Sequence, residues 1–293
     1  MSRTGPRRGH HYGAWRVLCA VPAVLASTCV VTILFSGLGR WTPPAVAGWL
    51  LTGPLVLLGP AERAAVRAQC RFRIPTSPEF EWLTSLGAWT KRRCAAGPGR
   101  FDWYVRDDPE PAVLAAGGRS IAVTTGFLRL LYDGALSHRQ AVAVLLHEAG
   151  HHITGRCRYG LVVCWLSWPW QVIYRFSMRL GQLLPWAGAA MVFLPVVFVV
   201  AFVNVARQDA PTGKVVPVLA LLLVLAIFVY PVVDAVVSRA GEHAADRYAH
   251  RLGAGDDLAA ALQVITDRCQ VSSWRRLRAS HPSPRARLQR LTR

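Results

Sequence analysis

His147-Glu148-Ala149-Gly150-His151 is the stretch on which the reading of this chain turns. Residues four apart share one face of an α-helix, so His147 and His151 can direct both imidazoles at a single metal ion. Glu148, one residue on from the first histidine, then stands where a water would be activated and is the candidate general base. The surroundings supply the helix. Ser137 is a suitable N-cap, Ala141, Val144, Leu145 and Ala149 recur at helical spacing, and the run ends near Gly155.

A hydrolytic zinc site takes three protein ligands and leaves a fourth position for water. The chain has six glutamates, and one lies in Ser238-Arg239-Ala240-Gly241-Glu242-His243-Ala244-Ala245-Asp246. Glu242 is a candidate third ligand, and Asp246, on the same helical face, is a candidate for orienting a ligand histidine. The alternative is a solvated polar face on which His243 and Asp246 are merely exposed. His152 points about 100° away from His151 around the helix and is expected to be exposed or supporting rather than a ligand.

The composition bears on where such a site would sit. The chain has 293 residues, 53% hydrophobic and 17% charged, with 34 Lys+Arg against 16 Asp+Glu and a net charge of +18. A soluble domain is about 25% charged and a disordered chain is poor in Val, Leu and Ile, so both classes are disfavoured. No nucleic-acid module is recognisable, neither a zinc-finger spacing nor a basic region followed by heptads, so no nucleic-acid partner is expected. The seven cysteines, Cys19, Cys29, Cys70, Cys94, Cys157, Cys164 and Cys269, contain no C-x-x-C pair and read as reduced, mostly buried thiols.

Apolar residues gather into charge-free runs. Val17 to Gly39 is long enough to cross a bilayer, and Trp41 to Ala61, broken by Pro43, Pro44 and Pro54, is a borderline second span. Leu183 to Ala206 and Val215 to Val237 read as a membrane hairpin. Tyr159 to Tyr174 is short, contains Pro169 and carries Trp165, Trp168 and Trp170 near Arg175 and Arg179, which suits an interfacial helix. His151 and Glu242 can share a metal only from one side of the bilayer, so an even number of spans must separate them; the hairpin meets that condition. Arg3, Arg7, Arg8 and Arg16 flank the first span, Arg40 alone lies after it, and Arg63, Arg67, Arg71 and Arg73 follow the second. By the positive-inside rule the N-terminus and the polar domain are expected to be cytoplasmic. The C-terminal arginines, from Arg275 to Arg293, read as a surface facing anionic headgroups.

Between the spans, Phe101, Trp103 and Val105 alternate with polar residues, as do Ile121, Val123 and Thr125, giving two short strands. The strand Ser120 to Thr125 is a candidate for pairing an extended substrate, the alternative being a plain sheet edge.

HEAGH on a helix, then a membrane hairpin, then SRAGEHAAD, then Ser280-His281-Pro282 and Arg287, resembles the integral-membrane zinc metalloproteases of the HtpX and CAAX-prenyl-protease group. The resemblance covers about Trp103 to Leu291 plus the N-terminal spans. It implies a mainly α membrane protein: transmembrane helices plus a zincin-like α+β metalloprotease domain with a small sheet. It also implies one zinc ion per chain held by His147, His151 and Glu242. Glu148 is then catalytic, His281 lies near the metal as a partner for the oxyanion, and Arg287 matches the family's basic residue. Tyr104 to Leu131 resembles the family's strand region, but the usual Asn-Ala-Phe-Ala sequence is replaced by Pro111-Ala112-Val113-Leu114-Ala115.

The expected organisation is a basic cytoplasmic N-terminus (1–16), two transmembrane helices (17–60), a first catalytic part (61–158), an interfacial helix (159–181), a transmembrane hairpin (182–237) and a second catalytic part (238–293). The expected function is zinc-dependent endopeptidase action on membrane or membrane-proximal proteins in quality control, at a multi-pass site in the cell membrane, with protein or peptide substrates and the lipid bilayer as partners. The alternative function is a metalloprotease-like membrane sensor. An intramembrane site-2-type protease would instead place HExxH within a long apolar span, whereas here Arg139 and Arg156 flank the motif helix.

Overall fold

The charge-free N-terminal stretch folds into α1 (His10–Phe35), a 3-10 turn over Ser36–Trp41, and α2 (Thr42–Leu55), which starts with Pro43 and Pro44 where missing amide protons cost nothing. The computed structural model describes residues 10–94, 101–155, 157–183 and 230–268. Within them, one stretch, Val17–Leu55, is long and apolar enough to cross a membrane. The expected second span is only the 14-residue α2, about 21 Å long at 1.5 Å per residue and short of a hydrocarbon core of about 30 Å. Most of the expected hairpin at 182–237, together with His281, Arg287 and the C-terminal arginines, lies outside the described residues.

The chain continues through α3 (Gly59–Cys70), α4 (Ser77–Arg93), β1 (Asp102–Arg106), β2 (Val113–Ala116), β3 (Ser120–Thr124), α5 (Thr125–Tyr132) and α6 (His138–Ile153). It then forms α7 (Gly160–Leu183), α8 (Tyr230–Arg251) and α9 (Gly255–Arg268). These residues fall into two compact units. One takes in the described residues among 10–16, 56–161 and 235–268; the other takes in Val17–Leu55 and the described part of Val162–Asp234.

In the second unit α7, the segment expected at the interface, packs on α1 and α2. Trp165 donates its indole N–H to Thr52 Oγ1 at 2.8 Å, the Trp170 amide donates to Ser27 Oγ at 3.1 Å, and Leu166 lies against Gly53.

The first unit is organised around a mixed three-stranded sheet in the order β1-β3-β2, with β1 parallel and β2 antiparallel to β3. Two features of the expected sheet are corrected. A third strand, Val113–Ala116, is present. And β3 is central rather than an edge, buried at all five positions, so it has no free side for a substrate. Its Ile121 and Val123 join Val105 in a core with Leu83 and Leu86 of α4, Phe127 of α5, and the apolar residues of α6 and α9. On the opposite face Ala122 and Tyr104 pack with Val66, Phe72 and Leu161.

Side-chain caps set where the helices begin. Thr124 ends β3 and accepts the Phe127 amide proton at 3.2 Å, starting α5. Ser137 accepts from the Gln140 amide at 3.3 Å, and its own N–H donates to Gln140 Oε1 at 2.8 Å, so the expected cap of α6 is reinforced reciprocally. Every residue from Ala141 to His151 is buried. A helix enclosed on all sides can hold polar residues only if each finds a partner, and α6 carries three of them at its C-terminal end. Of the six described cysteines none forms a disulfide, and only Cys94 and Cys157 are buried.

Candidate metal centre

Two helices supply the site, each with polar residues four apart: His147 and His151 on α6, Glu242 and Asp246 on α8. The helices approach closely because both are small at the crossing. A methyl group added at Gly150 would lie 3.0 Å from the Cα and 3.2 Å from the carbonyl oxygen of Ala245. With no side chain there, the Glu242 carboxylate reaches across to both imidazoles.

Glu242 is 1% exposed and Asp246 6%, so the alternative of a solvated polar face on α8 is set aside. Glu242 Oε2 lies 3.3 Å from His147 Nε2, and Glu242 Oε1 lies 3.3 Å from His151 Nε2. The imidazole planes are nearly perpendicular, at 79°, with centroids 4.7 Å apart. One nitrogen from each histidine and one carboxylate oxygen lie within 4.8 Å of one another. Bonds of about 2.0–2.1 Å in a tetrahedron put neighbouring ligand atoms roughly 3.3–3.4 Å apart. The observed separations and the two-imidazole, one-carboxylate donor set therefore fit zinc.

Asp246 completes the geometry from behind. Its Oδ1 is 2.9 Å from His147 Nδ1; the imidazole donates that N–H, which fixes the tautomer and leaves the Nε2 lone pair facing Glu242 and His151. Replacing Asp246 with alanine is expected to weaken zinc binding by about 10–100-fold while leaving the helical content unchanged. Zinc titration of the metal-stripped protein against a competing chelator checks it, and unchanged affinity would remove Asp246 from the site.

Glu148 does not join the triad. It is buried, and its Oε1 is 3.9 Å from His147 Nε2, near the donors but outside their shell, as suits a base rather than a ligand.

Of the two positions its helical angle allowed, exposed or supporting, His152 takes the supporting one and is partly buried. Its ring packs 5.6 Å from that of Phe101, and its Nε2 lies 3.2 Å from the carbonyl oxygen of Ser120. Burial pushes the imidazole down to about 4, so near neutral pH it is uncharged and Nε2–H donates to that carbonyl.

Strand β2, which shows no alternation in the sequence, is the strand against which α6 packs. The Thr124 amide donates to Ala112 O at 3.0 Å. Alternation along an antiparallel pair then turns the backbone N–H and C=O of Val113 and Ala115 to the outer edge. Ala115 O there accepts from the Cys157 thiol at 3.6 Å. The close approach of α6 and α8 was missed, although the small residues of HEAGH and HAAD were its visible sign.

A family model described as Peptidase family M48 matches residues 96–293. No curated protein matches the chain.

Proposed function

The chain belongs to peptidase family M48, which contains HtpX and the CAAX prenyl proteases, and is a zinc metallopeptidase; from that premise we propose that it is a membrane-embedded endopeptidase cutting misfolded or surplus membrane and membrane-proximal proteins. The observation that carries the reading is the convergence of His147, His151 and Glu242 in a buried site with Glu148 beside them. His147, His151 and Glu242 would hold a zinc ion, which when bound would supply Lewis acidity toward the scissile carbonyl and an attacking water. Glu148 takes the proton of that water on its carboxylate and delivers it to the leaving amine nitrogen. Asp246 holds the His147 ring through Nδ1. His281 is assigned to the developing oxyanion on the order of its motif.

The substrate lies extended along the outer edge of β2, where the Val113 N–H and C=O are directed outward beside the metal helix. Membrane embedding is supported by the apolar stretch Val17–Leu55 and by the charge-free runs within 182–237. The arginines around the first two runs favour a cytoplasmic placement of residues 1–16 and of the catalytic parts 61–158 and 238–293.

The full chain purified in detergent is expected to contain one zinc per molecule and to cleave casein. Chelation should abolish cleavage and added zinc restore it. Cleavage that survives complete removal of the metal would overturn the reading.

A further inference from the structure

The turn between β2 and β3 is held from two directions by residues outside the metal centre. Glu62, in the first turn of α3, accepts the Gly118 amide proton on Oε1 at 2.7 Å. Gly117 has φ +61°, which calls for glycine, and a methyl group there would lie 2.4 Å from the same Oε1 and push the carboxylate aside. From the other side His152, one residue after the ligand His151, donates through Nε2 to Ser120 O at 3.2 Å. The held segment is short. Ala116 and Ser120 are opposite each other in the ladder, so fixing the turn fixes the last pair of the hairpin and with it the lie of β2 against α6.

We propose that Glu62 and His152 are positioning residues that clamp the β2–β3 turn and so hold the outer edge of β2 in line with the metal centre for extended substrates. This rests on the peptidase reading above. Neither residue touches the metal donors through its polar atoms, so loosening the clamp leaves zinc binding and the proton transfers at Glu148 in place. What it removes is the fixed strand that an extended peptide pairs with. A short substrate, gripped only at the scissile bond, is indifferent to that strand; a long one is not.

The test compares the full-length protein with its Glu62→Ala and His152→Leu variants on two substrates, a quenched peptide of about eight residues and a blocked dipeptide. Each variant is expected to keep its zinc and its activity on the dipeptide, and to lose about tenfold in kcat/KM on the long peptide, mostly through KM, the size of one hydrogen bond to a charged or buried partner. Glu62→Gln, whose amide oxygen still accepts from Gly118, and His152→Gln, whose amide nitrogen still reaches Ser120 O, should restore most of the loss. Equal losses on both substrates, no loss on the long one, or failure of both conservative variants to rescue would overturn the clamp. If the wild type cleaves neither peptide, the peptidase reading falls instead. Amide hydrogen exchange then tests the clamp alone: unchanged exchange over residues 113–120 in both alanine and leucine variants would overturn it too.

Discussion

Replacing Glu148 with glutamine is expected to lower kcat for peptide hydrolysis by about 10²–10⁴-fold, the usual share of general acid–base catalysis, while zinc content stays at one per chain. Glutamine matches glutamate in shape, so the packing of α6, buried throughout from Ala141 to His151, is undisturbed. The metal donors are untouched, because Glu148 Oε1 stands 3.9 Å from His147 Nε2 and belongs to neither of the two contacts that join the imidazoles to the Glu242 carboxylate. What is lost is the ability to take a proton, since an amide does not accept one near neutral pH. Paired metal analysis and casein digestion of wild type and variant separate the two effects. Proteolysis retained by a zinc-loaded variant would assign the base elsewhere, and loss of zinc would make Glu148 a ligand. The same variant also serves the search for natural substrates: proteins that accumulate when it replaces the active enzyme in cells are the candidates to test for direct cleavage.

The parts of the site that were legible in the sequence are those carried by local periodicity. His147 with His151, and Glu242 with Asp246, are each four apart on a helix, and helical spacing alone puts each pair on one face. Where the two faces meet depends on a tertiary contact between Gly150 and Ala245, which no single-helix pattern encodes. The sheet shows the same division. Phe101 to Val105 and Ile121 to Val123 display strand alternation, whereas Val113-Leu114-Ala115-Ala116 is four residues long, half alanine and without alternation, and becomes a strand only by pairing with β3. Once β2 is in place, β3 is covered on both edges and both faces, so its alternating pattern did not mark a half-exposed strand. His152 was correctly placed off the metal by its angle on the helix. Its partial burial was not visible, because Phe101 and the Ser120 carbonyl come from elsewhere in the chain.

Glu242→Gln is the change with the largest expected effect on the metal itself. Spreading an apparent binding free energy of about 10–16 kcal/mol over four ligands gives roughly 3 kcal/mol each, so loss of the carboxylate is expected to weaken zinc binding by about 10²-fold or more. The amide retains one oxygen that could face a metal, but it carries no charge, and its NH₂ group must then sit where Glu242 now has its second oxygen, 3.3 Å from an imidazole nitrogen. Glu242→Asp should fail for a different reason. The side chain is one methylene shorter, and α6 and α8 already approach so closely that even a methyl group at Gly150 would crowd Ala245, so little further approach is expected to make up the lost reach to both histidines. The fold should survive both changes, because Ala249 of α8 and Leu258, Ala261 and Leu262 of α9 stay in the core that holds α6. The expected outcome is therefore native circular dichroism with weakened zinc binding in both variants, read by chelator competition. Wild-type affinity in Glu242→Gln would mean that the third ligand is another residue, and normal zinc binding in Glu242→Asp would mean that the two helices are free to approach further than their contact at Gly150 allows.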